Sequence, residues 1–163
     1  MTGARASIAE PRMIPVDTNI PLRLTQIGHP HRQAALDTLQ LLAERDQEQF
    51  SIAPQSLYEM YVVCTRPASA NGFGMSARLA SIEISAIKSL FEVLPETSQV
   101  YATWEGLVAK YDSTGKQAHD VRLVALMLQH RVSKLLTFND GDFRRFSEIQ
   151  PLNPFEVLAA APG

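Results

Sequence analysis

Short strand-like runs alternate with helix-spaced stretches along the whole of this chain, and that alternation constrains the fold more than any other feature. The runs are Met13–Val16, Phe50–Ala53, Phe91–Leu94, Ser133–Thr137 and Glu148–Leu152. Between them lie segments whose apolar residues recur at helical spacing. Examples are Ala35, Leu36, Leu39, Leu42 and Ala43 within 31–49, and Val121, Val124, Ala125 and Leu128 within 117–130. Helices are also expected over 20–27, 54–65, 76–90 and from Ser98, taken as a cap, to Tyr111. A loop is expected over 66–76, a turn over 112–115 and one helical turn over 143–146. Strands that alternate with helices form a mostly parallel sheet covered on both faces. The expected fold is therefore α/β, three layers, with about five strands.

Composition narrows the class. With 163 residues, 45% of them hydrophobic, the chain can bury one core without cross-links. The single cysteine, Cys64, excludes an internal disulfide and a cysteine-rich zinc site, and it fits a reducing cytoplasm. No apolar run is long enough to span a membrane, and the first dozen residues lack the apolar core of a signal peptide. Residues 1–12 are expected to form a mobile extension, 13–158 the domain and 159–163 a tail. The net charge of −2 weighs mildly against nucleic-acid binding. A group of metal-binding acids would lower net charge while basic residues elsewhere hold phosphates.

The first strand ends in a carboxylate. Met13, Ile14 and Val16 are followed at once by Asp17, then by Thr18 and Asn19, which favour helix N-caps and turns, and by Pro21 in a first helical turn. Ligands of open α/β sheets bind beyond the carboxyl ends of the strands. Three further acids hold comparable positions: Glu59 in the helix after the second strand, Asp120 in the first turn of a later helix, and Asp142 after the fourth strand. Converging carboxylates repel and raise one another's pKa, and a divalent cation such as Mg²⁺ or Mn²⁺ relieves this. Such a centre hydrolyses phosphodiesters. Each acid also has an ordinary explanation, as a helix-start charge, a solvated side chain or a turn residue, and spacing alone leaves the two readings even.

Four motifs occur in order: Val16-Asp17-Thr18-Asn19, Pro54 through Glu59, His119 through Ala125, and Leu136 through Phe143. Together they resemble the PIN domain, the fold of VapC-type toxins in toxin–antitoxin pairs, over nearly all of Met13 to Leu158. The resemblance implies a metal-dependent endoribonuclease that acts on RNA. It also implies an antitoxin partner and a homodimer. It places the metal on Asp17, Glu59, Asp120 and Asp142, with Thr137 and Asn139 as polar helpers. Many members carry an acid where this chain has Asn139. Candidate phosphate contacts are Arg66, Lys116, Arg122, Arg144 and Arg145, each of which also reads as surface charge. His119 reads as a positioning residue, and Tyr101 and Trp104 as core.

Within the 140–142 loop the metal is expected on Asp142, with Gly141 supplying a tight backbone and Phe143 an anchor. A haloacid-dehalogenase-like phosphatase would want a second Asp at Asn19, and a response-regulator receiver would want paired acids before the first helix and a late Lys. A PIN-like scaffold that only binds RNA or protein is the remaining alternative, and the full set of four acids speaks against it.

Overall fold

The computed structural model describes residues 12–162. The expected N-terminal extension therefore lies outside the described residues, apart from Arg12. The elements run β1 Met13–Val16, α1 Asn19–Thr25, α2 Pro30–Asp46, β2 Gln49–Ile52, α3 Pro54–Thr65, a 3₁₀ turn Ala68–Ala70, α4 Ala77–Leu90, β3 Glu92–Val93, α5 Gln99–Lys110, α6 Gln117–Gln129, β4 Lys134–Leu136, α7 Asp140–Phe143, β5 Gln150–Leu152 and α8 Pro154–Ala160. The five strands are all parallel, in the order β3-β2-β1-β4-β5. The expected three-layer α/β/α architecture is the one observed. Among the described residues no helix is long and apolar enough to cross a membrane.

Strand periodicity builds the two cores. Leu135 and Leu136 are adjacent in β4 and point to opposite faces. Leu135 joins Val100, Leu107, Val121, Val124, Phe143 and Phe146 under α5 and α6. Leu136 joins Ile14, Val16, Ile20, Ile52, Met60 and Ile87 under α1 to α4. Each face is sealed by helices, so both residues of the pair are fully buried.

Pro15 sits in a central strand, where a missing N–H normally argues against proline. The direction of the bonds shows which ladder bears the loss. The Asp17 N–H donates to Leu136 O at 2.9 Å, so β1 donates toward β4 at that residue. Alternate N–H groups of a strand share a side, so the donor Pro15 lacks is one that β4 would have received. The ladder to β4 is correspondingly thin, with Val16 opposite Leu136, whereas four residues of β1 are in register with β2.

Several expectations are corrected. The late helical turn is Asp140–Phe143, three residues before the expected 143–146. Helix α8 is an addition to the expected elements, although Asn153 caps it by accepting from Phe155 N–H at 3.0 Å and Pro154 opens it. It packs on α2 and runs to Ala160, into the segment expected to be a tail. Ser98 precedes α5 but makes no side-chain cap, whereas Ser76 caps α4 by accepting from Leu79 N–H at 3.1 Å.

The expected 66–76 loop folds back on the end of α3. The N–H groups of Phe73, Gly74 and Met75 donate to the carbonyls of Val63, Arg66 and Cys64, which satisfies the helix end. Gly72 is pressed onto this turn: a Cβ there would stand 2.0 Å from Arg66 O. Gly106, in contrast, lies on the exposed face of α5 with open space around a Cβ. Gly72→Ala is therefore expected to destabilise by roughly 1–3 kcal/mol through overpacking. Gly106→Ala is expected to stabilise by roughly 0.5–1 kcal/mol through helix propensity. Denaturant melts of the two variants check the opposite signs.

Candidate metal centre at the sheet's switch point

The chain leaves β1 toward β2 on one side of the sheet, and β4 and β5 fill the other side. The crevice at the carboxyl ends of β1 and β4 is thus the topological switch point. Asp17 follows β1 directly, and Thr137, Phe138 and Asn139 follow β4.

Asp17 is held from three directions. Its Oδ1 accepts from Thr18 N–H at 2.8 Å, and its Oδ2 accepts from the Thr137 hydroxyl at 2.8 Å and from Asn19 Nδ2 at 3.1 Å. Thr137 is fully buried and its hydroxyl oxygen also accepts from Asn139 N–H at 3.0 Å and Asn19 Nδ2 at 3.1 Å. Asn19 Oδ1 accepts from Phe138 N–H at 3.1 Å. Asn19 therefore bridges the ends of β1 and β4. The sequence marks it only as a cap or turn former. Thr18 stands at the helix N-cap position without capping through its side chain. Its hydroxyl instead donates to Glu59 Oε2 at 2.6 Å.

Gln55, in the first turn of α3, joins a second pair of elements. Its amide donates to Glu59 Oε1 and to His119 O, both at 2.9 Å. The role expected for His119, a hydrogen bond at the start of α6, falls to its backbone carbonyl. Gln55 Oε1 is buried without a partner among the described residues.

The four acids share one electrostatic field. Burial pushes the Asp17 carboxyl up, hydrogen bonds from Thr137 and Thr18 oppose this, and the charges of Glu59 and Asp142 add to it. Burial, then Asp17, Asp142 and Glu59, push Asp120 up to about 7, with Arg145 opposing. Asp120 and Asp142 line a pocket of about 320 Å³ together with Lys116, Gln117, Gly141 and Arg145. Asp140 is turned elsewhere. It accepts from Asn153 Nδ2 at 2.8 Å and from Arg144 Nε at 2.9 Å, and these two partners hold its carboxyl below the usual range. Gly141 is not what separates the two acids, since its φ is not positive and α7 is an ordinary helical turn. Phe143 does serve as the buried anchor.

The basic candidates divide. Lys116 and Arg145 line the acid pocket. Arg145 is positioned by Ser113 Oγ at 2.5 Å and by the ring of Phe146, whose centroid lies 4.7 Å from the guanidinium carbon. Arg122 makes a two-pronged pair with Glu96 at 2.9 and 2.8 Å, Arg144 pairs with Asp140 and Glu156, and Arg66 donates to Asn71 O within its own loop. Spacing does not reveal these three pairings, because the partners meet only in the fold. Trp104 is half-buried against the core, as expected. Tyr101 is not core: it is 63% exposed.

The donor set suits a hard divalent cation in kind, since all four candidates are carboxylates and burial and mutual charge already penalise two of them. Their side chains share a field without closing on a single point. Among the described residues no three His, Cys, Asp or Glu side chains are placed to hold one ion.

Solved structures share this arrangement of strands and helices. VapBC2 from Rickettsia felis, bound to a DNA fragment from its promoter, superposes with a TM-score of 0.67 at 14% identity over 86% of this chain and 98% of that one. VapBC-1 from nontypeable Haemophilus influenzae gives 0.61 at 18%, covering 88% and 98%. VapC20 from Mycobacterium tuberculosis, described as a sarcin-ricin loop cleaving toxin, gives 0.57 at 21%, covering 85% and 99%. At these identities the likeness establishes the fold. No curated protein matches the sequence. A PIN domain family profile matches residues 14–149, the span from β1 to the edge of β5 that carries Asp17, Glu59, Asp120 and Asp142, so this chain belongs to the PIN domain family.

Proposed function

We propose that this protein is a metal-dependent endoribonuclease that hydrolyses RNA phosphodiesters in the cytoplasm, as the toxin of a toxin–antitoxin pair. The observation that carries the reading is the field shared by acids from four separate segments, which adds to burial in pushing Asp120 up to about 7. Groups gathered at such cost in like-charge repulsion are expected at a site that binds a counter-charge. Asp17, Glu59, Asp120 and Asp142 would hold Mg²⁺ or Mn²⁺. When bound, the cation lowers the pKa of water and stabilises charge on a phosphoryl group.

The chain's own residues supply the rest. Thr137 and Asn19 fix Asp17, and Thr18 and Gln55 fix Glu59. Asn139 acts through its backbone N–H, which orients the Thr137 hydroxyl. Lys116 and Arg145 line the pocket with Asp120 and Asp142 and would take a phosphate there. The paired Arg122, Arg144 and Arg66 would have to leave their partners to do so. An antitoxin partner is supported by the similar structures from Rickettsia felis and Haemophilus influenzae, both of them VapBC pairs. The alternative, a PIN-like module that binds without cleaving, gives no reason for four retained carboxylates.

A homodimer belongs to the same proposal. Its support lies on α3 and α4, where Tyr58, Tyr61, Val62, Leu79 and Ile82 are exposed. The helix near Leu36–Leu42, also expected from the sequence to carry spare apolar residues, offers less, because Leu39 and Leu42 pack into the core while Leu36 stays exposed. Sedimentation at micromolar concentration should give twice the chain mass, and a monomer mass contradicts the dimer.

Cleavage of RNA should require Mn²⁺ or Mg²⁺, stop with EDTA, and fall to background in Asp17→Asn and Asp142→Asn. Asp140→Asn should keep most activity, because Asp140 serves Arg144 and Asn153 rather than the pocket. Metal-independent cleavage, or equal losses for Asp140→Asn and Asp142→Asn, contradicts the assignment.

A further inference from the structure

The start of α6 is a wall between two pockets. Lys116, Gln117 and Asp120 face the acid pocket. Ala118, His119 and Arg122 face a second pocket of about 620 Å³, closed on its other side by Glu96, Thr97, Ser98, Val100, Tyr101 and Trp104. That volume is in the ordinary range for a small-ligand site, about 300–1,000 Å³. One helix, about 10–12 Å across with its side chains, separates the two. Two contacts also tie them together. Gln55 bridges Glu59 and His119 O, and Arg122 lies within electrostatic reach of Glu59.

The second pocket has the chemistry of a base platform. Tyr101 is a large ring left 63% exposed in its wall. It leans on Trp104 with centroids 5.6 Å apart and planes at 31°. That spacing leaves no slot between the rings, so a flat ligand stacks on the open face of the pair. The Trp104 N–H is committed to Ala118 O at 2.8 Å, which fixes the indole. Arg122 is a planar group held by Glu96 through Nε and Nη2. Its Nη1 has no partner among the described residues. Because Glu96 already balances its charge, this arginine suits the edge or face of a neutral heterocycle better than a phosphate.

We propose that this pocket is a nucleobase subsite, which takes an unpaired base of the RNA strand whose phosphate lies in the acid pocket across α6. Aromatic stacking with a fixed guanidinium is a general means of holding single-stranded RNA. The subsite rests on the nuclease reading for its substrate. It gives the enzyme an unpaired base, about a helix width from the cleaved bond, to select.

Trp104 is the only tryptophan of the chain, so occupancy reads directly in its fluorescence. The full-length protein in EDTA is titrated with each of the four ribonucleoside 5′-monophosphates and with ribose 5-phosphate, corrected against free tryptophan amide. Saturable quenching by at least one nucleotide and none by the sugar phosphate is expected, in wild type and in Asp17→Asn alike. Tyr101→Ala should weaken that nucleotide at least about fivefold, as loss of one stacking face implies, and Tyr101→Phe should retain it. Tyr101 is exposed, so the fold is expected to survive, and matched thermal melts confirm that the loss is local. No quenching, equal quenching by ribose 5-phosphate, or the same affinity in Tyr101→Ala overturns the subsite. Quenching without any RNA cleavage counts against the nuclease reading alone, and cleavage without quenching counts against the subsite alone.

Discussion

The hydrogen bond from the Thr137 hydroxyl to Asp17, 2.8 Å long, is the contact on which the rest of the site depends. A carboxylate at this depth loses most of its hydration, and it is tolerable only where fixed donors replace water. Thr137 can supply one because β4 is parallel and adjacent to β1, so both strands end at the same edge. Asn19 completes the junction with its amide on Asp17 and Thr137 and its carbonyl oxygen on Phe138 N–H. The sheet topology and the placement of the first acid are thus one constraint.

The other acids are referred to Asp17 through helices. Glu59 is reached through Thr18, and Asp120 through Gln55 and the His119 carbonyl at the start of α6. Asp142 lines the pocket next to Phe143, which is buried in the core, while Asp140 is drawn off by Arg144 and Asn153. Apolar packing and ion pairs outside the crevice therefore determine which carboxylates remain inside it. The result is a site with surplus negative charge and with two cations, Lys116 and Arg145, at its rim.

Much of this is legible in the sequence, for physical reasons. Strands such as Lys134–Leu136 carry consecutive apolar residues because the sheet is covered on both faces, and an apolar run between turn residues reports that. Asp17 is legible because an acid directly after a buried strand has few packing roles. Asn19 is not, since capping and bridging use the same amide and only the neighbouring strand distinguishes them. Pro15 argues locally against a central strand, and only the fold shows that its missing donor thins the ladder to β4 and spares the one to β2. Arg122 and Glu96 are 26 residues apart, and no local pattern predicts their pairing. Tyr101 shares helical spacing with Val100, Trp104 and Leu107, but the buried stripe of α5 passes through Val100 and Leu107 and leaves it outside.

The central claim is that the four acids share one electrostatic field, whose repulsion adds to the cost of burial that the metal-free fold must bear. It is tested most directly by thermal stability against pH in chelator. Asp120 titrates at about 7 in the folded protein, above its ordinary 3.8, so between those values the folded state binds the extra proton. Stability must then fall as pH rises through that window. The metal-free protein should melt higher at about pH 5.5 than at about pH 8, and Asp120→Asn should flatten the difference. Millimolar Mn²⁺ should restore wild-type stability at the higher pH by binding the native state alone. A melting temperature that is unchanged or lower at the acidic end, identical in Asp120→Asn and indifferent to Mn²⁺, would show that the acids do not act as one site.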